Sequence, residues 1–282
     1  MNSLREFLRT IRVEHTVFAL PFAYATLFLA EGGWPTAWNA FWITVAMVAG
    51  RTVGMAANRV IDAEVDARNP RTASRSIPAG RLRLSRAVVF TLAALAIFLV
   101  AVWQLEPVCR KLWPAVVVAM VVYPYAKRFT PLAHLVLGLV YFMVPTAVWI
   151  AVTGEVSKAA VLLGIGAALW VAGFDIIYAC QDVEVDRRQG LHSIPADFGV
   201  ARGLAVAYAF HVAFVLCLFF VGSILSVGRW YYVGVTLTTL LLLYEHRLVK
   251  PDDLSKVNAA FFTTNGLVSV ALFAFIALDT VM

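Results

Sequence analysis

Charge is scarce in this 282-residue chain: Asp, Glu, Lys and Arg together make up 14% of it, against about 25% in an ordinary soluble domain. Histidine is sparse, at five residues, and cysteine sparser, at three. Cys109, Cys180 and Cys217 stand far apart with no C-x-x-C, so neither a disulfide framework nor a zinc site is indicated. They read as thiols packed inside apolar helices. Apolar residues make up 61% of the chain, with 19 Phe, 9 Tyr and 8 Trp, and the mean hydropathy is +0.81. That composition excludes disorder, a coiled coil and an average soluble enzyme. The chain is built to live in lipid.

Apolar stretches fall at about 16–30, 37–57, 85–105, 108–125, 131–152, 158–180, 201–225, 229–245 and 258–279. In lipid every backbone polar group must be satisfied within its own segment, so each stretch is expected to be a helix. The fold class is therefore all-α, a single domain over 1–282 with about nine transmembrane helices. The first stretch contains Pro21 and lacks a small-residue cleavage site, so a removable signal peptide is not expected.

The net charge of +6 is read by position. Eighteen basic residues fall in alternate connections: the N-terminal tail, 58–86, 127–128, 187–202 and 247–256. The other connections hold four, Arg110, Lys111, Lys158 and Arg229. This asymmetry predicts a multi-pass protein of the cytoplasmic (inner) membrane with its N-terminus and long loops in the cytoplasm. Membrane lipid accounts for the excess of positive charge, and no nucleic-acid partner is implied.

An internal repeat lies on that same side. Asp62-x-x-x-Asp66 precedes Ser76-Ile77-Pro78-Ala79, and Asp182-x-x-x-Asp186 precedes Ser193-Ile194-Pro195-Ala196. Duplication explains the shared order, with halves of roughly 1–150 and 151–282, and it predicts two acidic helix ends facing each other.

On a helix advancing about 100° per residue, Arg51, Asn58, Asp62 and Asp66 share an arc of roughly 80°, as do Asp175, Tyr178, Asp182 and Asp186. Ionised Asp in a membrane span normally faces a cavity. Converging carboxylates repel unless cations lie between them, and hard oxygen donors without His or Cys favour Mg²⁺ completed by substrate phosphates. Arg71 and Arg75, directly after the first acidic motif, are placed to clamp a phosphate. Arg51 sits mid-span and needs an anionic partner, for which Asp175 is the expected one at rest. His15 and His211 read as hydrogen-bonded packing residues.

These elements together resemble the UbiA superfamily of intramembrane prenyltransferases. The resemblance is carried by Arg51 seven before Asn58-x-x-x-Asp62-x-x-x-Asp66, by Tyr123-x-x-x-Lys127-Arg128 and by Asp175-x₆-Asp182-x-x-x-Asp186. Glu14 to Pro21, Arg71-Thr72-Ala73-x-Arg75 and Gly190-x-x-Ser193 strengthen it. It is nearest the 4-hydroxybenzoate polyprenyltransferase branch, including relatives in the futalosine route to menaquinone. The resemblance implies a cavity opening to cytoplasm and lipid, with Mg²⁺ as cofactor and Asn58, Asp62, Asp66, Asp182 and Asp186 as its ligands. It implies diphosphate contacts at Tyr123 and Lys127, and acceptor contacts at Arg51, Asp175 and Tyr178. Catalysis would rest on Asp62, Asp182, Lys127 and Asp175, the last as candidate base. The substrates implied are a polyprenyl diphosphate and an aromatic acid, with no obligate protein partner. The acceptor alternatives are 4-hydroxybenzoate and 1,4-dihydroxy-6-naphthoate; a lipid or haem prenyltransferase of the same family is a further alternative. A transporter would need access from both faces, whereas every acidic cluster here lies on one. One departure stands out: Arg59 follows the motif Asn, where many members carry Asp.

Overall fold

The computed structural model describes residues 3–11 and 16–282. Glu14 and His15, named above, and Arg12 of the basic N-terminal tail lie outside the described residues. Among the described residues thirteen α-helices follow in order, beginning with α1 (Ser3–Thr10), α2 (Thr16–Glu31), α3 (Ala37–Ile61), α4 (Ala63–Arg68), α5 (Leu84–Trp103), α6 (Cys109–Ala126) and α7 (Ala133–Thr153). Then come α8 (Lys158–Ala179), α9 (Val183–Gln189), α10 (Ile194–Phe198), α11 (Val200–Leu225), α12 (Arg229–Leu248) and α13 (Asn265–Val281), the last entered through a π turn at Ala259–Thr264. No β-strand occurs among the described residues.

The boundaries have local causes. The Thr36 hydroxyl accepts from the Asn39 N–H at 3.3 Å and the Ser157 hydroxyl from the Ala160 N–H at 3.0 Å, capping α3 and α8. Gly154 (φ 73°) and Gly190 (φ 65°) end α7 and α9 in the left-handed conformation that glycine adopts without penalty.

Among the described residues six helical segments are long and apolar enough to cross a membrane: α3, α5, α7, α8 continued through α9, α11, and the π turn with α13. The other three expected stretches are also helical, with visible reasons for a weaker signal. α2 has 16 residues, α6 contains Pro114 and Pro124, and α12 ends in Glu245, His246 and Arg247 shortly before its last residue. Large apolar side chains such as Leu92, Phe219, Phe220 and Leu240 are exposed on the outside of the bundle, as contact with lipid requires.

The core centres on Trp170 of α8, stacked on Phe214 of α11 with centroids 5.6 Å apart, among buried Phe22, Leu218, Tyr231 and Leu272. α7 and α8 approach closely because glycine stands at the contact. A Cβ on Gly138 would lie 2.7 Å from the Ala168 carbonyl oxygen, and one on Gly164 2.8 Å from that of Phe142. His211 is a hydrogen-bonded packing residue, 2.9 Å from His246 and 3.2 Å from the Trp170 carbonyl. Cys180 and Cys217 are buried.

One expectation needs correction. Neither acidic motif runs along an unbroken α-helix. Asp62 separates α3 from α4, and Asp182 closes a 3₁₀ turn between α8 and α9. Asp62 has φ −92° and ψ 8°, and Asp182 φ −103° and ψ 2°, outside the α-helical region. Corresponding positions of the two motifs thus carry the same break in the helix.

Candidate functional site

The loops after α3, α6 and α8 meet at one end of the bundle. Arg71 in the first reaches Asp182 beyond α8, and Lys127 at the end of α6 reaches Asp62. The His192 N–H donates to the Lys127 carbonyl at 2.7 Å, and this backbone bond ties the third loop to the second. α1 joins the same end, where Glu6 is buried and accepts from the Ser76 hydroxyl at 2.9 Å. That hydrogen bond, with Arg81 and Arg9 beside it, holds the Glu6 carboxyl below the usual carboxylate range.

The first three carboxylates of the two motifs are engaged by cations of the chain itself. Asp62 pairs with Lys127 at 2.6 Å and Arg128 at 3.1 Å, and accepts from the Asn58 amide at 3.2 Å. Both Asp66 oxygens accept from one Arg75 nitrogen at 2.6 Å. Asp182 accepts from Arg71 Nε at 2.9 Å, forms a second short bond with the same guanidinium, and accepts from Asn69 at 3.0 Å. Arg71 also donates to the Tyr178 hydroxyl at 2.9 Å and lies 5.0 Å from that ring's centroid. A small cavity of about 160 Å³ lies among these groups, lined by Asn58, Asp62, Asp66, Asn69, Asp182 and Asp186 together with Arg71, Arg75 and Lys127.

Beside it a larger cavity of about 470 Å³ runs along the bundle. Asp62, Lys127, Asp182 and Asp186 line its polar end, and Phe98, Leu112, Trp113, Val116 and Met120 its apolar depth. Along α6 its lining reaches from Lys127 to Cys109, a stretch that rises about 27 Å at roughly 1.5 Å per residue. Arg51, Tyr123, Asp175 and Tyr178 all line it, and Arg71 lines the small cavity. Every substrate-binding residue expected from sequence therefore faces one of the two.

One expectation changes in detail. The Arg51–Asp175 pair is not made: Arg51 donates to the Ile11 carbonyl at 3.2 Å, and Asp175 Oδ2 lies 2.7 Å from His134 Nδ1. Close packing of α7 on α8 puts His134 beside Asp175 first. The expected metal ligands Asn58, Asp62, Asp66, Asp182 and Asp186 all line the small cavity, although among the described residues no three Asp, Glu, His or Cys stand close enough together to hold an ion by themselves. Protein cations lie between the carboxylates instead. Sequence reading also gave no role to three members of the site, Asn69, Arg128 and His134. Asn69 follows Asp66 at i+3, Arg128 closes the Tyr123-x-x-x-Lys127-Arg128 motif with no contact of its own implied there, and His134 had no signal beyond being a polar residue in an apolar stretch.

The donor set nevertheless fits Mg²⁺ with a diphosphate. Carboxylate and amide oxygens surround the small cavity, with no thiol among its lining residues. Mg²⁺ commonly takes one or two carboxylates and completes its shell with water and phosphate, so a three-carboxylate cage is not required. Asn58, Asp62 and Asp66 from one motif, with Asp182 and Asp186 from the other, would hold it.

Comparison with known proteins decides the family. The pattern of the UbiA prenyltransferase family matches residues 19–267. The chain belongs to that family. A UbiA homologue of Aeropyrum pernix, solved in its apo form, is 34% identical and superposes with a TM-score of 0.86 over 95% of this chain and 98% of the other. The 4-hydroxybenzoate octaprenyltransferase of Herminiimonas arsenicoxydans is 28% identical over 99% of both chains. The 4-hydroxybenzoate solanesyltransferase of Synechocystis is 30% identical over 82% of this chain and 80% of its own. A UbiA homologue of Archaeoglobus fulgidus, solved bound to DMAPP and Mg²⁺, is 20% identical over 98% of this chain and 99% of its own, with a TM-score of 0.73, a likeness of fold. The all-helical membrane fold and the family expected from the motifs are therefore shown.

Proposed function

We propose that this UbiA-family protein transfers a polyprenyl group from its diphosphate to an aromatic acid of the 4-hydroxybenzoate type, with Mg²⁺ as cofactor. One observation carries the reading: a small polar cavity holding both acidic motifs shares Asn58, Asp62, Lys127, Asp182 and Asp186 with a long apolar one that contains Arg51 and Asp175. The first suits a diphosphate, the second an isoprenoid chain and an aromatic ring. Relatives named as 4-hydroxybenzoate prenyltransferases support the acceptor class.

Mg²⁺, when bound at the carboxylates, supplies charge neutralisation that makes diphosphate a leaving group. The chain's own residues do the rest. Lys127, Arg71 and Arg75 exchange their carboxylate partners for phosphate oxygens, so the resting ion pairs prearrange the cations that later stabilise the departing charge. Tyr123 and Tyr178 line the large cavity near this region. The C–O bond of the prenyl diphosphate breaks with its electron pair leaving on oxygen, and the allylic cation is shielded by an apolar wall that excludes water. Phe174, Phe261 and Phe262 contribute to that wall. A ring carbon of the phenol then attacks, with Arg51 holding the acceptor carboxylate.

The same reading gives nine crossings of the cytoplasmic membrane, one domain made of two repeat-related halves, and a site facing the cytoplasm. Eighteen basic residues on the site's side against four on the other support the orientation. The matching kinks at Asp62 and Asp182 support the duplication. In a cysteine-free background, a probe cysteine at Gly190 reacts only with membrane-permeant reagents and one at Gly154 also with impermeant ones. The opposite pattern would invert the topology.

The activity itself is tested by supplying membranes with a polyprenyl diphosphate and a panel of phenols, and identifying products by mass spectrometry. Prenylated 4-hydroxybenzoate or dihydroxynaphthoate is the expected product. Turnover of phenols lacking a carboxylate as fast as the acids would refute the acceptor class.

A further inference from the structure

Four buried side-chain polar atoms have no hydrogen-bond partner among the described residues: Trp42 Nε1, His134 Nε2, Thr238 Oγ1 and Glu245 Oε2. Of these four residues only His134 lines the large cavity. It stands at the start of α7, 4% exposed, with Nδ1 2.7 Å from Asp175 Oδ2. An ionised carboxylate only accepts, so the proton of this bond sits on Nδ1. In the neutral ring that leaves a lone pair on Nε2, and an unsatisfied buried acceptor is costly enough to need a reason. A carboxylate that fixes one imidazole nitrogen and frees the other is how a histidine base is oriented.

We infer that His134 is the proton acceptor of the transfer reaction and Asp175 its positioning residue, an assignment that rests on the prenyl-transfer reading above. Depth agrees with this role. Asp175 lies seven residues before Asp182 on α8, about 10 Å from the phosphate end at roughly 1.5 Å per residue, where an acceptor ring would meet the reactive end of the isoprenoid. The phenolic O–H proton passes to Nε2 as a ring carbon forms its bond to the allylic carbon and the C–O electron pair stays with diphosphate. The ring is then a neutral dienone. Diphosphate takes the ring C–H proton, Nε2–H returns its proton to the oxygen, and the aromatic phenol is restored with the net proton leaving on diphosphate.

His134→Gln tests this, because the amide can still donate to Asp175 while offering no base. Kinetics are measured on folded, membrane-inserted enzyme with 4-hydroxybenzoate and with its more acidic 3-nitro derivative, each normalised to the unaltered protein. Losing a general base should cost roughly 10²-fold in kcat with 4-hydroxybenzoate, with a clearly smaller loss for the nitro compound and an unchanged KM for prenyl diphosphate. A packing role would not distinguish two acceptors by acidity. Equal losses with both acceptors, or an unchanged kcat, would overturn the assignment. If His134→Gln fails to insert, Asp175→Asn takes its place: the same acidity-dependent loss supports the pair, and equal losses or an unchanged kcat overturn it. Absence of any prenylated phenolic acid from the unaltered enzyme defeats the functional reading itself, and so is separable from failure of this one.

Discussion

Asp62→Ala and Asp182→Ala each lower prenyl transfer by at least about 10²-fold, the scale of removing one preorganised electrostatic group from a transition state, while the protein still inserts and folds. Each carboxylate stands at a break in its helix and is held by cations of the chain. Asp62 is 3% exposed as a side chain and contacts both Lys127 and Arg128; Asp182 is 13% exposed and contacts Arg71. Removing either also frees a cation to bind diphosphate without metal. Substrate binding should therefore survive better than turnover, and the loss should appear in kcat more than in prenyl diphosphate KM. Steady-state kinetics on membrane preparations of matched protein content check this. A variant with most of its kcat intact would show that the metal and leaving group are handled elsewhere.

Arg51→Leu acts on the other substrate. Arg51 lies seven residues before Asn58, about 10 Å deeper along α3 at roughly 1.5 Å per residue, beyond direct reach of a diphosphate held at the motif. It lines the large cavity, and its guanidinium donates to the Ile11 carbonyl while Asp175 turns to His134. An aromatic acid lying in that cavity brings its own carboxylate to the guanidinium. Loss of a charge-assisted pair worth roughly 1.5–3 kcal/mol corresponds to a drop of about 10- to 150-fold in kcat/KM for the aromatic acid. The prenyl diphosphate KM should hardly change. An Arg51→Leu enzyme with unaltered acceptor kinetics would remove Arg51 from the acceptor site and leave the phosphate end untouched.

The fold is legible in the sequence because lipid leaves so few options. Every apolar stretch is helical, and Gly154 and Gly190 end their helices as residues that tolerate positive φ. The acidic site is legible because its residues repeat: Asp62 and Asp182, with Asp66 and Asp186 one turn later, announce each other at a distance of 120 positions. Pairing between distant elements is what escapes. Arg51 and Asp175 match in repeat position, which suggests a bond, yet the glycine-mediated approach of α7 to α8 gives Asp175 to His134. The kinks escape too, because a helical wheel assumes an unbroken helix and Asp62 and Asp182 interrupt it. No periodicity along a single chain encodes which helix lies beside which.

The central claim is that the two acidic motifs jointly support Mg²⁺-dependent prenyl transfer. Its most direct test is product formation from polyprenyl diphosphate and 4-hydroxybenzoate in membranes, followed by mass spectrometry, first with EDTA and then with Mg²⁺ restored. The account predicts that prenylated acid disappears under chelation and returns in full with Mg²⁺. Undiminished product in EDTA would contradict it.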